Sequence, residues 1–586
     1  MQTKKDLPSF SASNSTARPQ KHQFLMLLVR QGRAYYSLLP LVLVIGGMLL
    51  LVCVLPLWRL FARALDVSAL TWLVQNGQAR RALQHSAIIS TTVACLASVI
   101  ALALTLLFEK TTLPQRQVFR VALFMPLTIP PQILTLAWLS WAGPAGLLQR
   151  ALRNMLELEG RLWSLYNPRG IVLLLVIFSV PVAYLVIVSG LRNVSTSLEE
   201  AAQSEGANLW QVWRFITIPI ILPNIAAGFI LSFLAALGNF GIQALLGIPA
   251  RFITLPTLIY RRVTSFTAGG ANFDQAAALA LLMAVPALIT LGVQRWLLQR
   301  RGGRALETTL EPPARYDMGR WQWVFLPLCW FGLLFISIGP LVALFMTSIQ
   351  PAFGVRLSWQ TVSLEHYQFI LTELDAFGRA LPNSLILAGL ASLIAAVTAL
   401  ILGYWLGKLR PRLALGIQLL LELPYALPGL VFGLALILVW LRSPLPGVNL
   451  YGTVYVLLFA YIGHYLAFAL QPLQAAWGQL DSSLEEAAAL DGAGLLQRFT
   501  YILGPLLAPA LSVAGLLVFL NAFSELSLSA LLASSNSETL GWLVFNLEQA
   551  GYSNEAAALS IILLTVLALL TLVVAGLRAF AKRRLS

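Results

Sequence analysis

Apolar residues run along this chain in long blocks, not in the strict alternation of half-buried strands or the narrow stripe of surface helices. Twelve blocks approach or exceed the roughly 20 residues that carry a helix across the hydrocarbon core of a bilayer. They predict spans near 37–58, 86–108, 119–142, 170–191, 220–247, 276–297, 321–347, 380–406, 413–440, 449–473, 506–533 and 556–578. The third and ninth are irregular, interrupted by Pro126, Pro130 and Pro131 in one and by Pro424 and Pro428 in the other. Prolines at matching depth predict two kinked helices whose freed carbonyls need other partners. Such helices either line a passage or pack as ordinary kinks.

Composition agrees with this pattern. Of 586 residues, 58% are hydrophobic and only 11% charged, far from the balance of a soluble domain. A globule of this composition would expose large apolar patches, so soluble enzymes, disordered chains and collagen-like chains are excluded. Three cysteines, Cys53, Cys95 and Cys329, all lie in apolar runs and predict neither a disulfide framework nor a metal site. The chain reads as an all-α membrane protein with the lipid bilayer as its solvent.

Lysine and arginine set the orientation. Segment 1–35 is polar and basic, Arg295 to Arg320 holds six arginines, and the chain ends on Lys582, Arg583 and Arg584. These place both termini in the cytoplasm and account for much of the net charge of +15, which is therefore not read as nucleic-acid binding. The expected divisions are an N-terminal cytoplasmic segment 1–35, a first six-span domain 36–297, a linker 298–320, a second six-span domain 321–578 and a basic tail 579–586.

The chain also repeats itself. Residues 197–223 read SLEEAAQSEGANLWQVWRFITIPIILP, and residues 483–509 read SLEEAAALDGAGLLQRFTYILGPLLAP, 286 positions on. Each copy lies between the fourth and fifth span of its half, so six spans repeat in one orientation, a parallel duplication. Ser197 with Glu200, and Ser483 with Glu486, fit a capping box that opens a short helix. Leu198, Ala201 and Ala202 then share a face, and small alanines allow a partner to approach closely. Gly206 and Gly492 stand where that helix should stop and turn. A second helical stretch leads into the next span.

This pattern resembles the "EAA" loop of binding-protein-dependent ABC importer permeases. It matches at Glu200, Ala201, Ala202, Gly206 and Pro219 in loop 193–219, and at Glu486, Ala487, Ala488, Gly492 and Pro505 in loop 479–505. The resemblance implies the type I ABC importer permease fold, twelve transmembrane helices as two parallel six-helix repeats. It implies that each loop is a coupling helix docking on an ATPase subunit. The partners it implies are two copies of that ATPase and a periplasmic substrate-binding protein, in a bacterial inner membrane.

No phosphate-cradling G-x-x-x-x-G-K-[ST] occurs, the single Gly407-Lys408 pair being followed by leucine, so ATP and magnesium are expected on the partner subunits and no cofactor or metal in this chain. No hydrolase or metalloprotease motif is present either, and the chain is not expected to be an enzyme. A twelve-span secondary transporter driven by an ion gradient would share the hydropathy profile, but its scheme has no use for two duplicated amphipathic loops. Fusion of both halves in one chain resembles the ferric-iron, thiamine, polyamine and aminoethylphosphonate branches. The run Glu525 to Leu532 followed by Glu538-Thr539-Leu540 looks most like the ferric-iron permeases.

Ionisable groups inside a membrane are costly and should face a cavity or a partner. Within the predicted spans these are Glu422, Glu525 and His464, and at the 286-residue offset Glu525 corresponds to Asn239. Asn239 and Glu525 are therefore candidates to line the translocation path, with Glu422 and His464 weaker. For Glu525 the other reading is a carboxyl that ties two helices together.

Overall fold

The computed structural model describes residues 39–585 except 192, 265–271, 302–314, 356–357 and 359. Segment 1–35 and the centre of the linker lie outside the described residues. Among the described residues every regular element is helical, and one isolated bridge joins Thr111 to Tyr316. Among the described residues ten helices are long and apolar enough to cross a membrane, up to twelve when each of two bent pairs counts as one span.

The bent pairs are the two proline-bearing spans. Arg116–Thr128 meets Pro131–Leu156 at 107°, and Pro411–Ala426 meets Gly429–Trp440 at 104°. Proline has no amide hydrogen for the helical ladder and pushes the residue before it into extended backbone. Ile129 and Leu427, each just before a proline, sit at ψ 128° and 143°.

The fifth and eleventh spans are shorter than hydropathy predicts. Their helices, Ile218–Gly238 and Gly504–Phe523, stop within the apolar run, and the remainder folds as Phe240–Gly247 and, after an irregular turn, Ser529–Leu532. A few polar residues, Asn239 in one run and Ser524, Glu525 and Ser527 in the other, stand at the breaks within otherwise apolar sequence, so averaged hydropathy runs on through the stop.

The duplication persists in three dimensions. The second spans, Gly77–Lys110 and Asp375–Lys408, have 34 residues each, and the fourth spans, Pro168–Leu191 and Val454–Trp477, have 24 each. Ser86 Oγ accepts from the Leu255 amide at 2.8 Å and Ser384 Oγ from the Leu540 amide at 2.8 Å. In each half the chain beyond the fifth span is thus pinned to the start of the second.

Within a half, the second, fourth and fifth spans pack together. Buried alanines such as Ala94, Ala97 and Ala101, or Ala388, Ala391 and Ala395, let the helix backbones approach, as small residues do where lipid supplies no hydrophobic drive between helices. The first span of each half crosses over. Leu55–Ala64 packs on Gly429–Trp440, and Gly339–Ser348 packs on Pro131–Ala142. The halves are therefore interlocked, and leucines, isoleucines and valines such as Ile88, Val99, Leu393 and Leu572 stud the outside.

Candidate functional site

The repeated loops fold as two short helices each, on one face of the bundle. Thr196–Ser204 and Ser482–Leu490 come first. Both end in the same glycine turn. Gly206 has φ 91° and Gly492 φ 83°, a region open to glycine at little cost. The Ala207 amide donates back to the Ala202 carbonyl, and the Ala493 amide to Ala488, both at 3.0 Å. This six-to-one bond with a left-handed glycine is the Schellman stop.

The helix starts differ from the expected capping boxes. Ser197 and Ser483 lie inside the first turn. The cap positions belong to Ser195, whose side chain makes no capping bond, and Asp481, which accepts from the Ser483 amide at 2.9 Å. A reciprocal box instead opens the second helix of the first loop, between Asn208 and Gln211 at 2.8 and 2.9 Å. Its counterpart keeps half of it, since Gly494 has no side chain: Gln497 Oε1 accepts from the Gly494 amide at 2.8 Å. Each second helix passes through one π turn, Trp213–Thr217 or Phe499–Leu503, just before Pro219 or Pro505 opens the fifth span.

Of the two adjacent glutamates in each loop, the second faces out. Glu200, Ala201, Glu486 and Ala487 are exposed, while Ala202 is half-buried and Ala488 buried. The first glutamate, which sequence reasoning passed over, anchors the loop. Lys110 Nζ, at the end of the second span, reaches both Glu199 oxygens at 2.8 and 2.7 Å, Thr217 Oγ1 donates at 2.6 Å, and the Tyr316 hydroxyl at 3.2 Å. Both charged side chains are 0% exposed. In the second half Lys408 Nζ meets Glu485 at 2.6 Å and Tyr404 donates at 2.7 Å, with Arg498 at 3.5 Å. Burial alone would raise the Glu485 carboxyl, but the Lys408 and Tyr404 hydrogen bonds and the nearby cations hold it below the usual glutamate value. The signal lay in the sequence: both second spans end on lysine, and both loops repeat the first glutamate.

Midway through the bundle the four helix breaks meet in cross-pairs. Gln132 Nε2, after the break in the third span, donates to the Ser524 carbonyl at the break in the eleventh, at 2.9 Å. A Cβ on Gly238 would lie 3.4 Å from Pro428, and one on Gly241 would lie 3.4 Å from the Leu526 side chain. The halves touch here through backbone and small side chains.

Asn239 and Glu525 sit at these breaks, both buried. Asn239 Oδ1 accepts from the Ile242 amide at 3.0 Å. The Glu525 carboxylate accepts from the amides of Leu528 and Ser529 at 2.6 and 3.0 Å and from the Ser529 hydroxyl at 3.1 Å. Each therefore caps the short helix that follows its break.

The two other candidates belong to the proline break of the second half. Pro428 has no amide to give the Pro424 carbonyl four residues back, and His464 Nδ1 donates to that carbonyl at 2.9 Å. The bond sets the tautomer. Glu422 is half-buried and accepts from Gln418 Nε2 at 3.0 Å. Among the described residues no group of three or more His, Cys, Asp or Glu could hold a metal.

The family model described as "Binding-protein-dependent transport system inner membrane component" matches this chain twice, over residues 98–303 and 399–586. The chain is 24% identical over 506 residues to the "Ferric transport system permease protein FbpB" of Actinobacillus pleuropneumoniae, covering 84% of this chain and 71% of that one. It is 28% identical over 452 residues to the "Fe(3+)-transport system permease protein FbpB 2" of Haemophilus influenzae, covering 77% and 80%. A stretch of 203 residues is 30% identical to the "Molybdenum transport system permease protein ModB" of Escherichia coli K12, covering 34% of this chain and 85% of that one. Two broken-helix halves, each with a glycine-turned loop on the same face and each matched by the family model, make this chain a fused, two-domain, multi-pass permease of the binding-protein-dependent ABC importers.

Proposed function

We propose that this chain forms the translocation pathway of an importer in which two ATPase subunits dock on the loops around Gly206 and Gly492 and a periplasmic binding protein delivers the cargo. The observation that carries this reading is the pair of loops. Each presents an exposed Glu-Ala surface on the same face while its other glutamate is anchored to the second span of its own half. A docked subunit that moves such a loop moves a span. ATP and magnesium belong to the partners, and the loop face is cytoplasmic, with both termini on it. The domain limits remain 36–297 and 321–578 around linker 298–320.

Ferric iron is the proposed cargo, supported by the two ferric-transport relatives and by the run from Glu525 to Leu540. Asn239 and Glu525 lie where the halves close on each other, so opening the cross-paired breaks would uncover them to the cargo. Glu422 and His464 would come into play only as the second half's proline break moves.

The test is uptake of a ferric chelate by vesicles carrying this chain with its ATPase and binding protein. Uptake should require ATP and binding protein and ignore ionophores. Uptake that follows a proton or sodium gradient without ATP would support a secondary transporter instead. The ligand carried by the purified binding protein, read by native mass spectrometry, decides the cargo.

A further inference from the structure

A cavity of about 1010 Å³ opens between the second and fourth spans of the first half, the helix Arg116–Leu123 and the first span of the second half. It lies at the upper end of ligand-site sizes. Leu104, Phe119, Val176, Leu328 and Leu333 are among the side chains that make its wall apolar. Towards the loop face the lining changes to Trp210, Trp213, Tyr316 and Trp321, the amphipathic rings that settle at headgroup depth. Trp213 Nε1 is buried there without a hydrogen-bond partner among the described residues.

Two arginines flank this lining without being part of it. Arg116 lies one turn before Phe119, and Arg315 just before Tyr316. Arg116 has Arg120 and Arg315 as like-charged neighbours and Glu109 as the opposing charge. Glu109 is already engaged by Arg120 at 2.8 Å and by the Tyr184 hydroxyl at 2.7 Å. Arg116 Nη1 is buried with no hydrogen-bond partner among the described residues. Asp317, the charged side chain within the lining itself, is engaged by the Gly319 amide at 3.1 Å and the Thr112 hydroxyl at 3.3 Å, both of which donate to it.

We propose that this cavity holds one anionic phospholipid from the leaflet on the loop side, its headgroup on Arg116 and Arg315 and its tails against the apolar wall. An excess of positive charge beside an apolar chamber fits an anionic amphiphile. A soluble anion would leave the chamber unfilled, and a zwitterionic lipid would leave the excess positive charge unanswered. Trp210 and Trp213 belong to the second helix of the docking loop, so the lipid touches the element that couples this half to its ATPase.

The experiment is native mass spectrometry of the full chain after exchange into equal amounts of phosphatidylglycerol and phosphatidylcholine. One phosphatidylglycerol should be retained, preferred by about tenfold or more. Arg116→Gln with Arg315→Gln should abolish the preference while leaving either lipid able to enter. Gly332→Phe fills the chamber from a helical position, φ −57°, where a Cβ would meet nothing within 4 Å. It should remove retained lipid of both classes. Equal retention of the two lipids by the wild type, or a preference unaltered by both variants, would overturn the proposal. Displacement by inorganic phosphate would also overturn it, because the site would then take a free anion.

Discussion

The two repeated loops share a sequence but not an environment. In the first half the Lys110–Glu199 pair is sealed from solvent and braced by Thr217 and by Tyr316 from the linker region. In the second half the matching side chains are 31% and 20% exposed, and a third charge, Arg498, shares the carboxylate. One anchor is a dry, fully bonded ion pair and the other a wetter network. Duplication preserved the connection between loop and second span, while the linker, which only one half can receive, changed its dielectric surroundings.

That contrast has a large consequence. Removing one partner of a buried pair strands an uncompensated charge, at about 3–5 kcal/mol, whereas a partly exposed pair is worth about 0–1 kcal/mol. Lys110→Met should therefore unfold the detergent-purified protein at clearly lower temperature, and Lys408→Met should shift it little. Equal shifts in a thermal unfolding assay would mean that the anchors are equivalent.

The glycine turns should respond alike in both halves. Gly206→Arg and Gly492→Arg each force a side chain into left-handed backbone, at about 1–2 kcal/mol, and put bulk on the docking surface. Membrane insertion should persist while ATP-driven uptake is lost. Normal uptake by both variants would remove the docking role.

His464 offers a smaller contrast, since Phe178 stands at its place in the first half. His464→Phe leaves the Pro424 carbonyl without its donor, at about 1–3 kcal/mol, and the converse Phe178→His should gain nothing comparable. Thermal unfolding of the two variants reads the difference.

Charge at the breaks is the finest distinction between the halves. Glu525→Gln keeps an acceptor for the cap, so the protein should fold and hydrolyse ATP with its proposed partners while uptake of the proposed cationic cargo falls. Unchanged uptake by Glu525→Gln, with misfolding of Glu525→Ala, would leave Glu525 a helix cap alone. The Glu485 anchor adds a pH effect. Its folded pKa lies below the unfolded value, so its contribution is complete above the ordinary glutamate range and fades as pH falls through the lower folded value. A Glu485→Gln variant should lose that acid dependence.

Much of this molecule was legible in its sequence, for identifiable reasons. Bilayer thickness imposes the length of the apolar blocks, so the spans announced themselves. A positive φ favours glycine, so Gly206 and Gly492 marked the turns. The stops at Gly238 and Phe523 were hidden because only a few polar residues interrupt the apolar sequence there. The role of Glu199 was hidden because it depends on Lys110 and Tyr316, brought beside it only by the fold. The serines are not caps for a local reason: the helices begin at Thr196 and Ser482 behind caps Ser195 and Asp481, which leaves Ser197 and Ser483 two positions too deep.

Two loops in one chain should each engage one ATPase subunit. Native mass spectrometry of the complex purified through a tagged ATPase reads that ratio. The expected result is one permease chain with two ATPase subunits, falling to one and one when either Gly206→Arg or Gly492→Arg is introduced. A stable complex of one permease and one ATPase in the wild type would contradict it.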